Sequence, residues 1–204
     1  MKLKKALLVV DIQNDFCPGG ALGISAGDKI IPVINKYIKI FSQNKLPIFF
    51  SRDWHPKKTV HFKKFGGDWP VHCVENTKGS NFHPKLKIPP EAIILSKGID
   101  PQEDSYSAFQ ARDACGQSLG RLLKIFGVEE IYIAGLATDY CVKYSALDAL
   151  KNGFKVTVLK DAVKGVNIQP GDSQEALEQI TGMGAKEIVF SRFKSQMRLK
   201  VDKR

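Results

Sequence analysis

Ile131-Tyr132-Ile133-Ala134-Gly135-Leu136-Ala137-Thr138-Asp139-Tyr140-Cys141 is the stretch that decides the fold. Its opening apolar run reads as a strand buried on both faces. Val142 to Asn152 then reads as a helix that ends at Gly153. A cysteine therefore sits where a strand end turns into a helix N-terminus. Backbone N–H groups without intrahelical partners and the positive end of the helix dipole converge at such a turn. That setting lowers a thiol's pKa and can hold an oxyanion. A lone cysteine serves equally well as a small buried hydrophobe, so the rest of the chain has to decide.

The same alternation extends in both directions. Ala6 to Val10, Leu46 to Ser51, Ala92 to Leu95, Glu130 to Ala134, Phe154 to Leu159 and Ile188 to Phe190 read as strands. Between them, Ile30, Ile31, Ile34, Tyr37, Ile38 and Phe41 recur at helical spacing behind a capping Asp28. Arg112 to Phe126 reads as a helix stopped by Gly127, although Gly116 and Gly120 disfavour it. Gly171 to Met183 reads as another, with Ser173 as candidate cap. Strands alternating with helices predict an α/β fold: a three-layer sandwich with a mainly parallel central sheet and helices on both faces. We expect one domain over residues 1–204, without repeats or an internal boundary. In open α/β sheets, sites form outside the carboxyl ends of the strands. Asp11, Asp53, Lys97 and the Gly135–Cys141 turn all lie at such ends.

The net charge of +10 raises a nucleic-acid reading. Against it, Lys and Arg are spread along the chain. Their densest cluster, Arg192 to Arg204 (Lys194, Arg198, Lys200, Lys203), accompanies no nucleic-acid module. We therefore expect no nucleic-acid partner, and a basic C-terminal tail from about residue 192. No apolar run is long enough to span a bilayer, and the run after Lys5 stops at Asp11, too soon for a signal peptide. Cys17, Cys73, Cys115 and Cys141 show no paired spacing. Free thiols and a cytoplasmic location follow.

Asp11 ends the first strand, Lys97 follows the third and Cys141 follows the fourth. A thiol is a poor nucleophile until deprotonated. A carboxylate can take its proton, and an ammonium group stabilises the resulting anion. Singly, Asp11 reads as a turn residue and Lys97 as a surface lysine. Together they make a candidate base, cation and nucleophile.

All four histidines lie in the long irregular stretch 52–90, which is of a length that is usually functional. Asp53 and His55 stand two residues apart at a strand end, and His61 and His72 can fold back onto them. Imidazoles with a carboxylate suit one divalent metal ion, Zn²⁺, Fe²⁺ or Mn²⁺, and the spacing does not select among them. His83 reads as structural. Phe16, Trp69 and Tyr106 lie in the same loops and suit a pocket for a flat ring.

With these residues assembled, the chain resembles the nicotinamidase (pyrazinamidase) family of isochorismatase-like cysteine hydrolases. The resemblance rests on Asp11-Ile12-Gln13-Asn14-Asp15-Phe16-Cys17-Pro18-Gly19-Gly20, Asp53-Trp54-His55-Pro56 and Asp68-Trp69-Pro70-Val71-His72-Cys73-Val74. Lys97-Gly98, Asp104-Ser105-Tyr106-Ser107-Ala108-Phe109 and Gly135 to Val142 complete it. It implies that Asp11 is the general base, Lys97 the stabilising cation and Cys141 the nucleophile. Asp53, His55, His61 and His72 would hold the metal, His61 being a ligand in some members and not in others. Phe16 and Trp69 would sandwich the ring, Tyr106 and Ala137 would line the pocket, and the N–H groups of Ala137 and Cys141 would form the oxyanion hole. A cis peptide before Ala137 is common in the family. The activity implied is hydrolysis of nicotinamide, and of pyrazinamide, through a cysteine thioester in NAD salvage. A homo-oligomer is left open. The rival readings are an isochorismatase, a carbamoyl-amide hydrolase, or a basic anion- or nucleic-acid-binding module.

Overall fold

In the computed structural model, which describes residues 4–198, the first strand, β1 (Lys5–Val10), lies in the middle of the sheet. Its residues from Ala6 onward are buried, as a strand covered on both faces must be. The sheet runs β3 (Ile93–Lys97), β2 (Ile48–Asp53), β1, β4 (Glu130–Leu136), β5 (Lys155–Lys164), β6 (Lys186–Ile188), and every pairing is parallel. The chain thus builds outward from β1 to β3, returns to lay β4 beside β1, and builds outward the other way. The order reverses between β1 and β4, so a crevice opens beyond their carboxyl ends.

Helices cover both faces. On one, α1 (Ile31–Gln43) buries Ile31, Ile34, Tyr37, Ile38 and Phe41, the positions its spacing predicted. The last helix, α5 (Phe190–Arg198), packs beside it, with Phe193 stacked on Phe41 at 5.7 Å. On the other face lie α2 (Leu119–Ile125), α3 (Lys143–Lys151) and α4 (Asp172–Gly182), with Leu122, Ala146 and Ile180 in a second apolar cluster. The three-layer α/β sandwich is as expected. No helix among the described residues is long and apolar enough to cross a membrane.

Local departures from the sequence reading have local causes. α2 begins only at Leu119, capped by Ser118. Upstream, Arg112 bridges to Ser96, and Asp113 Oδ1 accepts the N–H groups of Cys115 and Gln117 at 2.9 and 2.8 Å, which ties a turn instead of a helix. Asp28 lies in a short 3₁₀ turn (Gly27–Ile30), and no side chain caps the start of α1, where Pro32 supplies a preset φ. Ser173 is not the cap of α4; its own N–H is capped by Asn167 Oδ1 at 3.0 Å. Phe190 opens α5 rather than closing a strand, because its N–H is taken by Asp161 Oδ2 at 2.9 Å. Of the predicted basic tail, Arg192 and Lys194 are exposed on α5, whereas Lys200, Lys203 and Arg204 lie outside the described residues.

Candidate active site

Parallel pairing sets side by side the strand ends from which the three predicted catalytic side chains come together. Asp11 follows β1 with φ +49°, a left-handed backbone that turns the chain off the sheet. Its Oδ1 accepts from Ser51 Oγ at 2.7 Å. Lys97, the last residue of β3, lies level with Asp53 of β2. Its Nζ stands 3.0 Å from Asp11 Oδ2, pairs with Asp53 Oδ1, and lies 3.5 Å from Cys141 Sγ. The Lys97 and Asp11 side chains are fully buried.

Cys141 arrives from the other half of the sheet. At Gly135 (φ +127°) a Cβ would sit 2.0 Å from the Val10 carbonyl oxygen, so only glycine lets β4 end this close to β1. The Leu136–Ala137 peptide is cis. Thr138–Val142 then winds as one wide π turn before α3, with Val142 N–H donating to the Ala137 carbonyl at 3.0 Å. Such turns recur at functional sites. Asp139 anchors this one to the chain after β5, accepting the N–H groups of Val166 and Asn167 at 3.0 and 2.6 Å.

Burial and charge divide the protons within this cluster. Burial pushes the Cys141 thiol well above its ordinary pKa; Lys97 opposes that rise, and the nearby Asp11 and Asp53 add to it. Burial opposes the Lys97 charge, but Asp11 and Asp53 raise its pKa well above the usual lysine value. Burial opposes ionisation of Asp53 as well, yet Lys97, with His55 and His72, holds it well below the carboxylate range. For Asp11 burial wins, and its pKa is raised despite Lys97 and Ser51. A thiol held protonated beside a carboxylate of raised basicity is set for proton transfer between the two. The carboxylate oxygens of Asp11 and Asp53 and the Cys141 sulfur all lie within 4.8 Å of one another.

The histidines form the second half of the site. The ligand nitrogens of His55, His61 and His72 lie within 4.8 Å of one another. Each ring is held through Nδ1: His55 by the Gly98 carbonyl at 3.1 Å, His72 by the Pro70 carbonyl at 2.7 Å, His61 by Asp104 Oδ1. A Cβ at Gly98 (φ +67°) would stand 2.4 Å from the His55 ring, so the ring packs directly on the backbone. On their other edges, His55 Nε2 and His72 Nε2 face Asp53 Oδ2 at 3.8 and 3.9 Å. His55 Nε2 is buried with no hydrogen-bond partner. Burial pushes His72 down to about 4, which leaves a neutral imidazole with a lone pair to give. An unpartnered buried nitrogen among neutral imidazoles beside an ionised carboxylate fits a divalent metal. His83 stays outside this group, its Nδ1 accepting from the Lys85 N–H at 3.2 Å.

A cavity opens onto both halves. Phe16, Trp69, Tyr106, Ala137, Tyr140 and Cys141 line it, with Asp53, His61 and His72 at one side. The four predicted substrate-contacting residues are all among its walls. Trp69 Nε1 donates to Tyr106 Oη at 2.9 Å, which locks two of the aromatic walls together. Sequence reasoning missed several residues that shape the site. Gln13 clasps the Asp53 backbone, accepting its N–H and donating to its carbonyl, both at 2.7 Å. Ser51, Asp104, Tyr140 and Ser105, whose buried hydroxyl faces the cavity unpartnered, were also missed. Gln13, Asp104, Ser105 and Tyr140 stand in the segments that carry the family resemblance and Ser51 does not, but the role of each shows only once strands and loops pair.

A parallel sheet with its chemistry gathered where the strand order reverses is the isochorismatase-like architecture, and the isochorismatase domain family matches residues 5–188. A nicotinamidase of Escherichia coli is 40% identical over 197 residues, covering 89% of this chain and 92% of its own. The nicotinamidase/pyrazinamidase of Mycobacterium tuberculosis is 35% identical, covering 80% and 88%. The crystal structure of Pyrococcus horikoshii pyrazinamidase in complex with zinc superposes with a TM-score of 0.85 at 46% identity, over 92% of this chain and 99% of that one. The chain belongs to the nicotinamidase family within the isochorismatase fold.

Proposed function

We propose that the protein hydrolyses nicotinamide to nicotinate and ammonia, and pyrazinamide likewise, as a cytoplasmic enzyme of NAD salvage. The observation that carries this reading is the shared cavity: the Cys141 thiol, Asp53, two of the caged histidines (His61 and His72) and the aromatic side chains all line it, and the Asp11 carboxylate and Lys97 lie against Cys141 behind its wall. The similarity to enzymes named nicotinamidase and pyrazinamidase supports it.

Phe16 and Trp69 hold the pyridine ring and place its carboxamide carbon against Cys141 Sγ. Asp11 takes the thiol proton as the sulfur attacks that carbon. Lys97 offsets the negative charge of the cluster while the proton moves. The N–H groups of Ala137 and Cys141 stabilise the oxyanion of the tetrahedral intermediate. Asp11 returns the proton to the leaving nitrogen, the C–N bond breaks, and ammonia departs. Water then gives a proton to Asp11 and attacks the thioester, and the C–S bond breaks to release nicotinate and restore the thiol. A divalent metal held by Asp53, His55, His61 and His72, zinc by analogy with the P. horikoshii relative, would bind the ring nitrogen and draw electron density from the ring.

Ammonia release from nicotinamide by the purified protein tests this directly. Turnover that a chelator suppresses and added zinc restores is the expected result. No ammonia from nicotinamide or pyrazinamide in zinc-loaded protein would overturn it.

A further inference from the structure

The three caged histidines are not held alike. His55 and His72 rest on main-chain carbonyls, of Gly98 and Pro70. His61 rests on a side chain, the Asp104 carboxylate, and that side chain is 51% exposed while the His61 ring is buried. Asp104 opens the segment that also supplies Ser105 and Tyr106 to the cavity. This segment is braced without the carboxylate: Gln110 Oε1 accepts the N–H groups of Tyr106 and Ser107, both at 3.0 Å. Gln110 Nε2 also donates to the Asp104 carbonyl at 3.1 Å. The carboxylate is therefore free of any duty in the turn and is directed to one imidazole.

A carboxylate on Nδ1 fixes the ring's tautomer, keeps Nε2 as the lone-pair atom and raises its basicity. Burial works the other way, lowering the His61 pKa and keeping the ring neutral. We propose that Asp104 is the positioning residue that makes His61 a committed metal ligand, so that metal retention depends on a half-exposed carboxylate of the cavity loop. This rests on the metal-site reading given above. It also ties the cage to the aromatic pocket, since Asp104 and Tyr106 hold His61 and Trp69 respectively from one short segment.

The test is zinc release from the loaded enzyme into an excess of a chromogenic chelator, which needs no turnover. Asp104→Ala is expected to release zinc about 10- to 100-fold faster than wild type. Asp104→Asn, which keeps an acceptor oxygen but not the charge, falls between. With His61→Ala already present, adding Asp104→Ala should change the rate less than about twofold, because the two act as one unit. Matching circular dichroism and melting of the zinc-free forms establishes that the variants fold. Release at the wild-type rate from both Asp104 variants overturns the proposal, as does an equal acceleration with and without His61. Wild-type protein that binds no zinc would sink the cage itself; zinc-binding protein indifferent to Asp104 sinks only this assignment.

Discussion

The Asp11–Lys97–Cys141 cluster and the histidine cage lie side by side, yet one is electrostatically closed and the other open. Lys97 meets Asp11, Asp53 and the Cys141 sulfur within a few ångströms, so the two buried carboxylates of that cluster share one cation supplied by the chain itself. The cage gathers imidazoles whose outer nitrogens are spoken for, and leaves His55 Nε2 unpartnered in its interior. A closed cluster supplies its own counter-charge; an open one is built to receive a cation. Asp53 joins the two, giving Oδ1 to Lys97 and turning Oδ2 toward the histidines. The halves also differ in how they are held. Strand ends fix the first. The second hangs on loop residues and depends on the acceptors behind each ring. Damage to the first should cost chemistry and fold stability; damage to the second should cost metal.

The largest effect should come from Cys141→Ala. It removes the proposed nucleophile, and kcat for nicotinamide should fall by about 10⁴-fold or more. Zinc content should not change, because no cage nitrogen is touched. Retained turnover would end the thioester mechanism, and lost zinc would mean that the halves are not separable. Next is Lys97→Met, which leaves Asp11 and Asp53 buried without their shared cation. Removing one partner from a buried ionic group costs about 3–5 kcal/mol. Urea unfolding of the zinc-free protein should show a loss of that order, well beyond that of Cys141→Ala. Unchanged stability would show that Lys97 does not hold the two buried carboxylates in place.

Gly98→Ala strikes the cage from behind. Its Cβ would overlap the His55 ring and its φ of +67° disfavours alanine, so the ring must shift. A displaced ligand should weaken zinc retention by about 10-fold, with kcat restored at saturating zinc. An unaltered release rate would show that the Gly98 backbone does not position His55.

How far the sequence reaches follows the same divide. Strand ends are marked by hydrophobic runs that stop at Asp11 and within a few residues of Asp53 and Lys97, so the parallel α/β fold and the candidate catalytic cluster were legible from patterning. The cage was legible from composition, since His55, His61 and His72 crowd one loop. What lies behind these residues was not. Gln13, Ser51 and Asp104 are ordinary polar residues at ordinary positions, and their partners lie about forty or more residues away, at 40, 40 and 43 respectively. Only the folded register brings them together. The helix expected over residues 112–126 begins only at Leu119 for a related reason: Asp113 offered local N–H groups a better acceptor than a helix could.

The smallest effect belongs to Ser51→Ala, and it tests the closed half alone. Ser51 Oγ donates to Asp11 Oδ1 at 2.7 Å, a bond that favours the ionised carboxylate and draws its pKa down. Burial is the larger influence and raises it, with Lys97 opposing. Losing the hydroxyl removes one of the opposing contributions, so the Asp11 pKa must rise further. The base is competent only when ionised. As pH falls, the variant should therefore lose activity earlier, and the acid limb of its kcat/KM profile should move to higher pH. A hydrogen bond to a charged group corresponds to a shift of about one pKa unit. Zinc release should stay at the wild-type rate, because Ser51 bonds Asp11 and not Asp53 or a caged histidine. An acid limb that stays in place would show that Asp11 is not the group it reports. A limb that moves together with zinc release would show that charge passes through Lys97 into Asp53, and that the two halves of the site titrate as one.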